Sequence, residues 1–133
     1  MKTFLARISA AALTADGWSN FTRKKYFAVT IQTIIDWKVV SFVLVLRAVA
    51  SETAQRCADV VTLALAEYEV PWEKITAMVT DNAANMVKCV ELVQKPRIGC
   101  FAHITQLLIA KLVSVRFRCL LIRAAILLYT NHT

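Results

Sequence analysis

The chain has 133 residues, 58% of them hydrophobic, with only two Gly and two Pro. This composition argues against a disordered or linker-rich protein and predicts one compact domain with a substantial core. The net charge of +7 favours an anionic partner such as nucleic acid, and four Cys without a Cys-x-x-Cys pair argue against a disulfide framework and are typical of reduced intracellular thiols.

The first part of the sequence predicts three successive strands. Residues 7 to 15 form the first, which ends at Asp16, and residues 26 to 34 form the second, rich in aromatic and β-branched side chains. In the third, residues 38 to 48, both alternating faces are apolar, so we expect this strand to lie inside a covered sheet. The short connections favour an antiparallel meander.

After the third strand, the spacing of the apolar residues predicts alternating helices and strands. The predicted elements are a helix over residues 54 to 68, a strand over 75 to 79, a helix over 83 to 94, a weak strand over 97 to 101 and a helix from residue 103 onward. We expect Ser51 to cap the first helix, and Met86, Cys89, Val90 and Val93 to face inward from the second. The order βββαβαβα predicts an α/β fold, with a mixed sheet and helices packed on its faces.

Two aspartates follow predicted strands, Asp16 after the first and Asp81 after the fourth. Strand ends in such a sheet converge at one edge, so the two carboxylates are expected to lie together. Paired carboxylates can hold hard divalent cations such as Mg²⁺, and two such ions promote phosphodiester cleavage. The alternative, favoured from sequence order alone, is that each aspartate caps a turn or a helix.

Cys100 and His103 have a Cys-x-x-His spacing at a predicted strand-to-helix junction. This spacing could hold one metal ion, although a zinc site normally needs more protein ligands. A buried thiol and a helix-end histidine are the simpler interpretation.

Three tryptophans, Trp18, Trp37 and Trp72, could stack on nucleic-acid bases. In a domain this apolar we expect them to belong to the core instead.

The positive charge is concentrated at the C-terminal end. Residues 1 to 91 contain ten basic and nine acidic side chains, a net charge of +1, whereas residues 92 to 133 contain six basic side chains and no acid. Arg116, Arg118 and Arg123 are therefore candidate phosphate contacts, with a solvated basic face as the equal alternative. Such frequent charges also argue against a membrane span in this apolar segment.

Three motifs occur in order along the chain. They are Leu13-Thr14-Ala15-Asp16-Gly17-Trp18-Ser19, Val79-Thr80-Asp81-Asn82-Ala83-Ala84-Asn85-Met86 and Cys100-Phe101-Ala102-His103-Ile104-Thr105-Gln106-Leu107. Together they resemble the hAT superfamily of DNA transposases, and most closely the BED zinc finger proteins domesticated from them.

The resemblance implies a ribonuclease H-like fold, in which Asp16 and Asp81 bind the catalytic Mg²⁺ or Mn²⁺ ions. It implies that Cys100 and His103 help to shape the site, and that the partner is DNA in the nucleus, with no small-molecule substrate. A homo-oligomer and a complex with a full-length relative are two further partner hypotheses.

The sequence departs from the family pattern in two places. No Asp or Glu follows Glu91, so the family's downstream third carboxylate, a glutamate, is missing, and no BED zinc finger precedes Asp16. We therefore expect a C-terminally truncated, catalytically inactive domain over residues 1 to 115, with a divergent basic, apolar and helical tail over 116 to 133, that retains nucleic-acid or partner binding. The alternatives are an active nuclease that completes its site with Glu91 or another chain, and a protein-interaction module.

Overall fold

The computed structural model describes residues 2 to 114; Arg116, Arg118, Arg123 and the rest of the predicted tail lie outside the described residues. The chain divides into two compact units, Met1–Cys100 and Phe101–Thr133. The elements of the first unit are α1 (Lys2–Leu5), β1 (Ala11–Ser19), β2 (Lys25–Ile35), β3 (Lys38–Val49), α2 (Ala54–Glu67), a 3₁₀ helix (Trp72–Lys74), β4 (Ile75–Thr80), α3 (Ala84–Leu92) and β5 (Arg97–Gly99).

The five strands form one mixed sheet in the order β3-β2-β1-β4-β5. The first three are an antiparallel meander, whereas β4 is parallel to both β1 and β5. The parallel pairings need crossover connections, which α2 and α3 supply. The predicted α/β fold with a mixed sheet is therefore confirmed, and after α1 the strands and helices follow the predicted order.

The core lies between one face of the sheet and the helices. The crossover from β3 to β4 and the crossover from β4 to β5 run in the same direction along the sheet. Because such crossovers are right-handed, α2 and α3 lie on the same face of the sheet, where they pack against each other. The inward side chains alternate along the strands and recur at helical spacing in α2 and α3. They include Leu13, Phe27, Val29, Ile31, Val61, Leu65, Met86, Cys89 and Val90.

The expectation that β3 lies inside a covered sheet is wrong. This strand forms an edge of the sheet, and Val39, Val43 and Leu46 are 71%, 55% and 61% exposed. Its register against β2 shifts between Val29 and Thr30, so Leu44 of β3 forms a β-bulge and has no paired residue in β2. The Leu44 side chain is buried. We call the sheet face that α2 and α3 do not cover the open face. An apolar pattern on both sides of a strand predicts burial only if something covers both sides.

Two further boundaries differ from the prediction. The first strand begins at Ala11 and continues past Asp16; residues 6 to 10 are irregular, and α1, whose Leu5 is fully buried, precedes them. The N-cap of α2 is Thr53, whose side chain accepts a hydrogen bond from the Arg56 backbone NH at 3.4 Å. Ser51 is not the cap; its hydroxyl accepts from the Arg56 guanidinium at 3.3 Å instead.

Residues 101 to 114 of the second unit are helical, so this helix begins two residues before the predicted start. None of the helices in residues 2 to 114 is long and apolar enough to cross a membrane. The helix exposes most of its apolar side chains, among them Ile104, Leu107, Leu108 and Leu112.

Candidate functional site

Asp16 and Asp81 occupy equivalent positions on two neighbouring parallel strands. The last paired residues of β1 and β4 are Thr14 and Val79, and each aspartate lies two residues further along its chain. Adjacent strands are about 4.8 Å apart, and residues in register face the same side of a sheet. The register therefore places both predicted site residues at the same edge of the sheet, with Asp81 one residue beyond the end of β4.

Asp16 lies within β1 rather than at its end. Its neighbours Ala15 and Leu13 are buried on the helix-covered face, so the pleat directs the exposed Asp16 to the open face. Its cross-strand partner in β2 is Ala28. A position inside a strand does not fit the alternative of a turn or helix cap.

Asp81, by contrast, organises the turn that leads into α3. Its Oδ1 accepts a hydrogen bond from the Ala83 backbone NH at 3.1 Å, and its carbonyl accepts from Arg97 Nη1 at 3.1 Å. The same Arg97 nitrogen donates to Asn82 Oδ1 at 3.0 Å. The turn-capping role therefore fits Asp81, but a carboxylate has two oxygens, so capping through one is compatible with metal binding through the other.

Asn85, later in the same motif, ties α3 to the start of α2. Its Nδ2 donates to the Glu52 carbonyl at 2.8 Å, across 33 residues of sequence. Thr80 and Met86, at either end of the motif, are buried. The motif therefore has a structural function in addition to supplying Asp81.

Glu52 is an acid near this site that the sequence did not reveal. Its Oε2 lies 3.4 Å from Lys25 Nζ, while its Oε1 is buried and has no hydrogen-bond partner. A β-carbon on Gly17 would lie 3.0 Å from that Oε1 and 3.5 Å from the Phe27 ring. An isolated glycine inside a strand is the sequence signal for such a close approach.

Glu52 does not join the two aspartates. It meets β1 from the helix-covered face, on the side of Gly17 and the buried Phe27, whereas Asp16 faces the open side. Within residues 2 to 114, no three His, Cys, Asp or Glu side chains form a group that could hold a metal ion.

Glu91, the acid considered as a replacement for the missing carboxylate, lies in the last turn of α3. Its carboxylate is 2.8 Å from Lys88 Nζ. The seven residues from the start of the helix to Glu91 correspond to about 10 Å along the axis. Since Asp81 precedes that start, the helix carries Glu91 away from the aspartates.

The cysteines differ in their surroundings. Cys100 is half-buried, directly after β5, and its backbone NH donates to the Thr80 carbonyl at 2.8 Å; His103 lies in the first turn of the 101–114 helix. Cys57 and Cys89 are buried in the first unit. Burial raises the pKa of Cys57 to about 11, with a smaller contribution from Glu52, and burial raises the pKa of Cys89 to about 12.

The expectation that the tryptophans belong to the core is wrong for two of the three. Trp37 is 99% exposed in the turn between β2 and β3, and Trp18 is 41% exposed on the open face. Trp72 does pack against the core, with Lys95 Nζ 5.9 Å from its ring centroid. A high apolar content predicts core tryptophans only when the sheet is covered on both sides.

Comparisons with known proteins leave the family open. The sequence matches no family model and no curated protein. Among solved structures it is similar to YeaZ from Pseudomonas aeruginosa, with 14% sequence identity and a TM-score of 0.40. The similarity covers 68% of this chain and 43% of that protein.

Proposed function

We propose that this chain is a hAT transposase-derived domain that binds nucleic acid and does not cleave it by itself. The observation that supports this proposal is that Asp16 and Asp81 each lie two residues beyond the last residue pair of β1 and β4, with no group of three metal-binding side chains in residues 2 to 114. Two-ion phosphodiester cleavage needs ligands for both ions. A pair of aspartates supplies too few ligands for two ions.

The two carboxylates suit a single Mg²⁺ or Mn²⁺ ion. Mg²⁺ is commonly held by one or two carboxylates while water completes its shell. Such an ion would supply positive charge for a phosphate oxygen. Asp16 and Asp81 would hold and position it, and the turn bonds to Ala83 and Arg97 would keep Asp81 in place.

The charge of the chain supports a nucleic-acid partner. The net charge is +7, and residues 92 to 133 contain six basic side chains and no acid. Binding that depends on phosphate contacts releases counterions, so its affinity falls steeply as salt rises. A nuclear location is part of the same proposal, because the resemblance to hAT transposases implies it.

The test measures binding and cleavage together on the full chain. Fluorescence anisotropy with labelled DNA should show binding that weakens with salt, while gels with Mg²⁺ or Mn²⁺ should show no cleavage. Mn²⁺ binding, followed by electron paramagnetic resonance, should weaken at least about tenfold in Asp16→Asn and Asp81→Asn, because each variant removes an ionised ligand.

Asp36→Asn is the matched control, because Asp36 is an exposed aspartate in the turn between β2 and β3. It should leave Mn²⁺ binding unchanged. Cleavage that Asp81→Asn abolishes would overturn the inactive assignment in favour of a nuclease. Absence of DNA binding at low salt would refute the nucleic-acid function itself.

A protein-interaction module is the second function that a specific observation favours. Ile34, Val39, Val43 and Leu46 expose more than half of their side chains on the edge half of the open face. Large exposed apolar patches mark association surfaces. Chromatography with light scattering should then show a dimer or larger complex that Val43→Thr with Leu46→Thr weakens; a monomer at all concentrations would count against self-association.

A further inference from the structure

The end of the β1–β2 hairpin combines aromatic and basic side chains. We define the hairpin-end cluster as Trp18, Phe21, Arg23, Lys24 and Tyr26; no acid occurs between residues 17 and 27. We infer that the hairpin-end cluster binds single-stranded nucleic acid, with its aromatic rings stacking on bases and its cations contacting phosphates. This inference rests on the nucleic-acid binding proposed above and assigns that binding to a surface outside the basic C-terminal segment.

Trp18 and Tyr26 form a stacked aromatic pair on the open face, which we call the platform. They are cross-strand partners in the β1–β2 register, and their rings stack with centroids 5.8 Å apart and planes 17° apart. Trp18 is 41% exposed. The pair therefore presents aromatic surface to solvent in a fixed orientation, as a base-stacking platform requires.

The turn beyond the platform is held in one conformation by Asn20. Its Oδ1 accepts hydrogen bonds from the Thr22 NH at 3.1 Å, the Thr22 hydroxyl at 2.8 Å and the Lys24 NH at 2.9 Å. The Asn20 NH also donates to the Lys24 carbonyl at 3.0 Å. A turn fixed in this way loses little conformational freedom when a ligand binds.

This turn projects Phe21 completely into solvent. The side chain is fully exposed, in contrast to the buried Phe27 of the following strand. One exposed apolar residue is common on protein surfaces. Here, however, it stands beside exposed Arg23 and Lys24, and the Lys24 Nζ lies 5.9 Å from the Tyr26 centroid. Bases and phosphates alternate along a single strand at a spacing that such interleaved side chains can follow.

The position of Asp16 extends the same surface toward the carboxylate pair. Asp16 and Trp18 alternate with Gly17 on β1, so both face the open side and are about 7 Å apart along the strand. A strand stacked on Trp18 and Tyr26 would pass next to Asp16. Lys25 contributes less, because its ammonium is paired with Glu52 at 3.4 Å.

Unpaired bases, rather than a duplex, fit this surface. In a duplex the bases stack on one another inside the helix, so their faces are not available to an exposed aromatic side chain. An acidic peptide or an anionic membrane offers charge to Arg23 and Lys24 but no flat aromatic partner for Trp18 and Tyr26. The stacked pair therefore favours a single-stranded polynucleotide.

The experiment uses the full chain and a labelled twelve-nucleotide oligothymidylate, with a duplex of equal length as comparison. Phe21→Ala and Trp18→Ala should each weaken single-strand binding at least about fivefold, because each removes one stacking contact. The matched control is Trp37→Ala, which removes an equally exposed aromatic at the other end of the eleven-residue strand β2. It should bind as the wild type does.

The salt dependence separates phosphate contacts from stacking. Arg23→Gln with Lys24→Gln should reduce the slope of log affinity against log salt by about 1.4, since each contact contributes about 0.7 for a single strand. Lys38→Gln with Lys88→Gln removes the same charge elsewhere and should leave the slope unchanged. Circular dichroism should show that all variants remain folded; Phe21→Ala, being fully exposed, keeps the test valid if Trp18→Ala unfolds.

The outcomes distinguish this inference from the proposed function. If the wild type binds DNA and the hairpin-end variants bind equally well, the inference fails and the function stands. If Trp37→Ala loses as much affinity as Phe21→Ala, or the duplex binds as tightly as the single strand, the assignment of a stacking surface is overturned. If the wild type binds neither oligonucleotide, both are refuted.

Discussion

Gly17 gives the Glu52 carboxylate room against strand β1. A β-carbon at Gly17 would lie 3.0 Å from Glu52 Oε1, which is closer than side chains normally approach. The Lys25 ammonium at 3.4 Å and the Asn85 bond to the Glu52 carbonyl at 2.8 Å limit how far Glu52 can withdraw. The glycine beside Asp16 therefore has a steric function, independent of any metal at the aspartates.

The Gly17→Ala variant should accordingly be destabilised only when Glu52 is present. We expect a loss of roughly 1 kcal/mol in the free energy of unfolding, from crowding against the carboxylate. In a Glu52→Ala background the same change should stabilise by up to about 1 kcal/mol, because alanine loses less backbone entropy than glycine. Urea unfolding of the four proteins measures the coupling; additive effects would show that the contact is not strained.

The side chain of Asn85 should matter more for stability than that of Asn82. Asn85→Ala removes the bond to the Glu52 carbonyl and leaves a half-buried acceptor unpaired, so we expect a loss of about 1 to 2 kcal/mol. Asn82→Ala removes only an exposed contact with Arg97, and should change stability by less than about 0.5 kcal/mol. Equal urea midpoints for the two variants would contradict the role of Asn85 in joining α3 to α2.

The order of the elements was predictable because each part of the sequence repeats apolar residues at one clear period. Met86, Cys89 and Val90 are buried, as helical spacing required. Coverage of the sheet was not predictable in the same way. The apolar residues Val39, Val43 and Leu46 have the pattern of an interior strand, yet β3 is an edge strand with an open face. The apolar pattern of a strand predicts the direction in which each side chain points. Whether that side chain is buried depends on which other elements, distant in sequence, cover that face of the sheet.

The site was predictable to a similar extent. Asp16 and Asp81 were predicted as neighbours because parallel strands end at a common edge, and the last paired residues of those strands, Thr14 and Val79, each precede one aspartate by two positions. Glu52 was missed because its approach to Gly17 depends on how the chain enters α2 after the edge strand. Trp18 and Tyr26 could not be paired from sequence alone either, since the hairpin register fixes which residues face each other.

Two variants test which residue caps helix α2. Thr53→Ala removes the side-chain acceptor for the Arg56 backbone NH, and should cost about 1 kcal/mol of stability. Ser51→Ala loses only a contact with the Arg56 guanidinium, and should change stability by less than about 0.5 kcal/mol. Thermal or urea unfolding decides between them; a larger loss for Ser51→Ala would mean that the helix begins earlier in solution.

The buried thiols should make the protein less stable in alkali. Burial raises the pKa values of Cys57 and Cys89 from 9.0 to about 11 and about 12. The unfolded chain therefore releases these protons at lower pH than the folded chain does. Their contribution to stability is fully present below about pH 9 and is lost as pH rises toward 11 to 12.

Unfolding in urea at a series of pH values from 8 to about 11 measures this loss. Cys57→Ala with Cys89→Ala should flatten the decline in stability over that range, even if packing loss lowers stability at every pH, because all other side chains are the same in both proteins. Cys100→Ala is the control, because it removes one half-buried thiol and leaves the buried Cys57 and Cys89 in place, so the decline in stability should remain. An unchanged slope in the double variant would show that the two thiols ionise in the folded protein as they do in the unfolded chain.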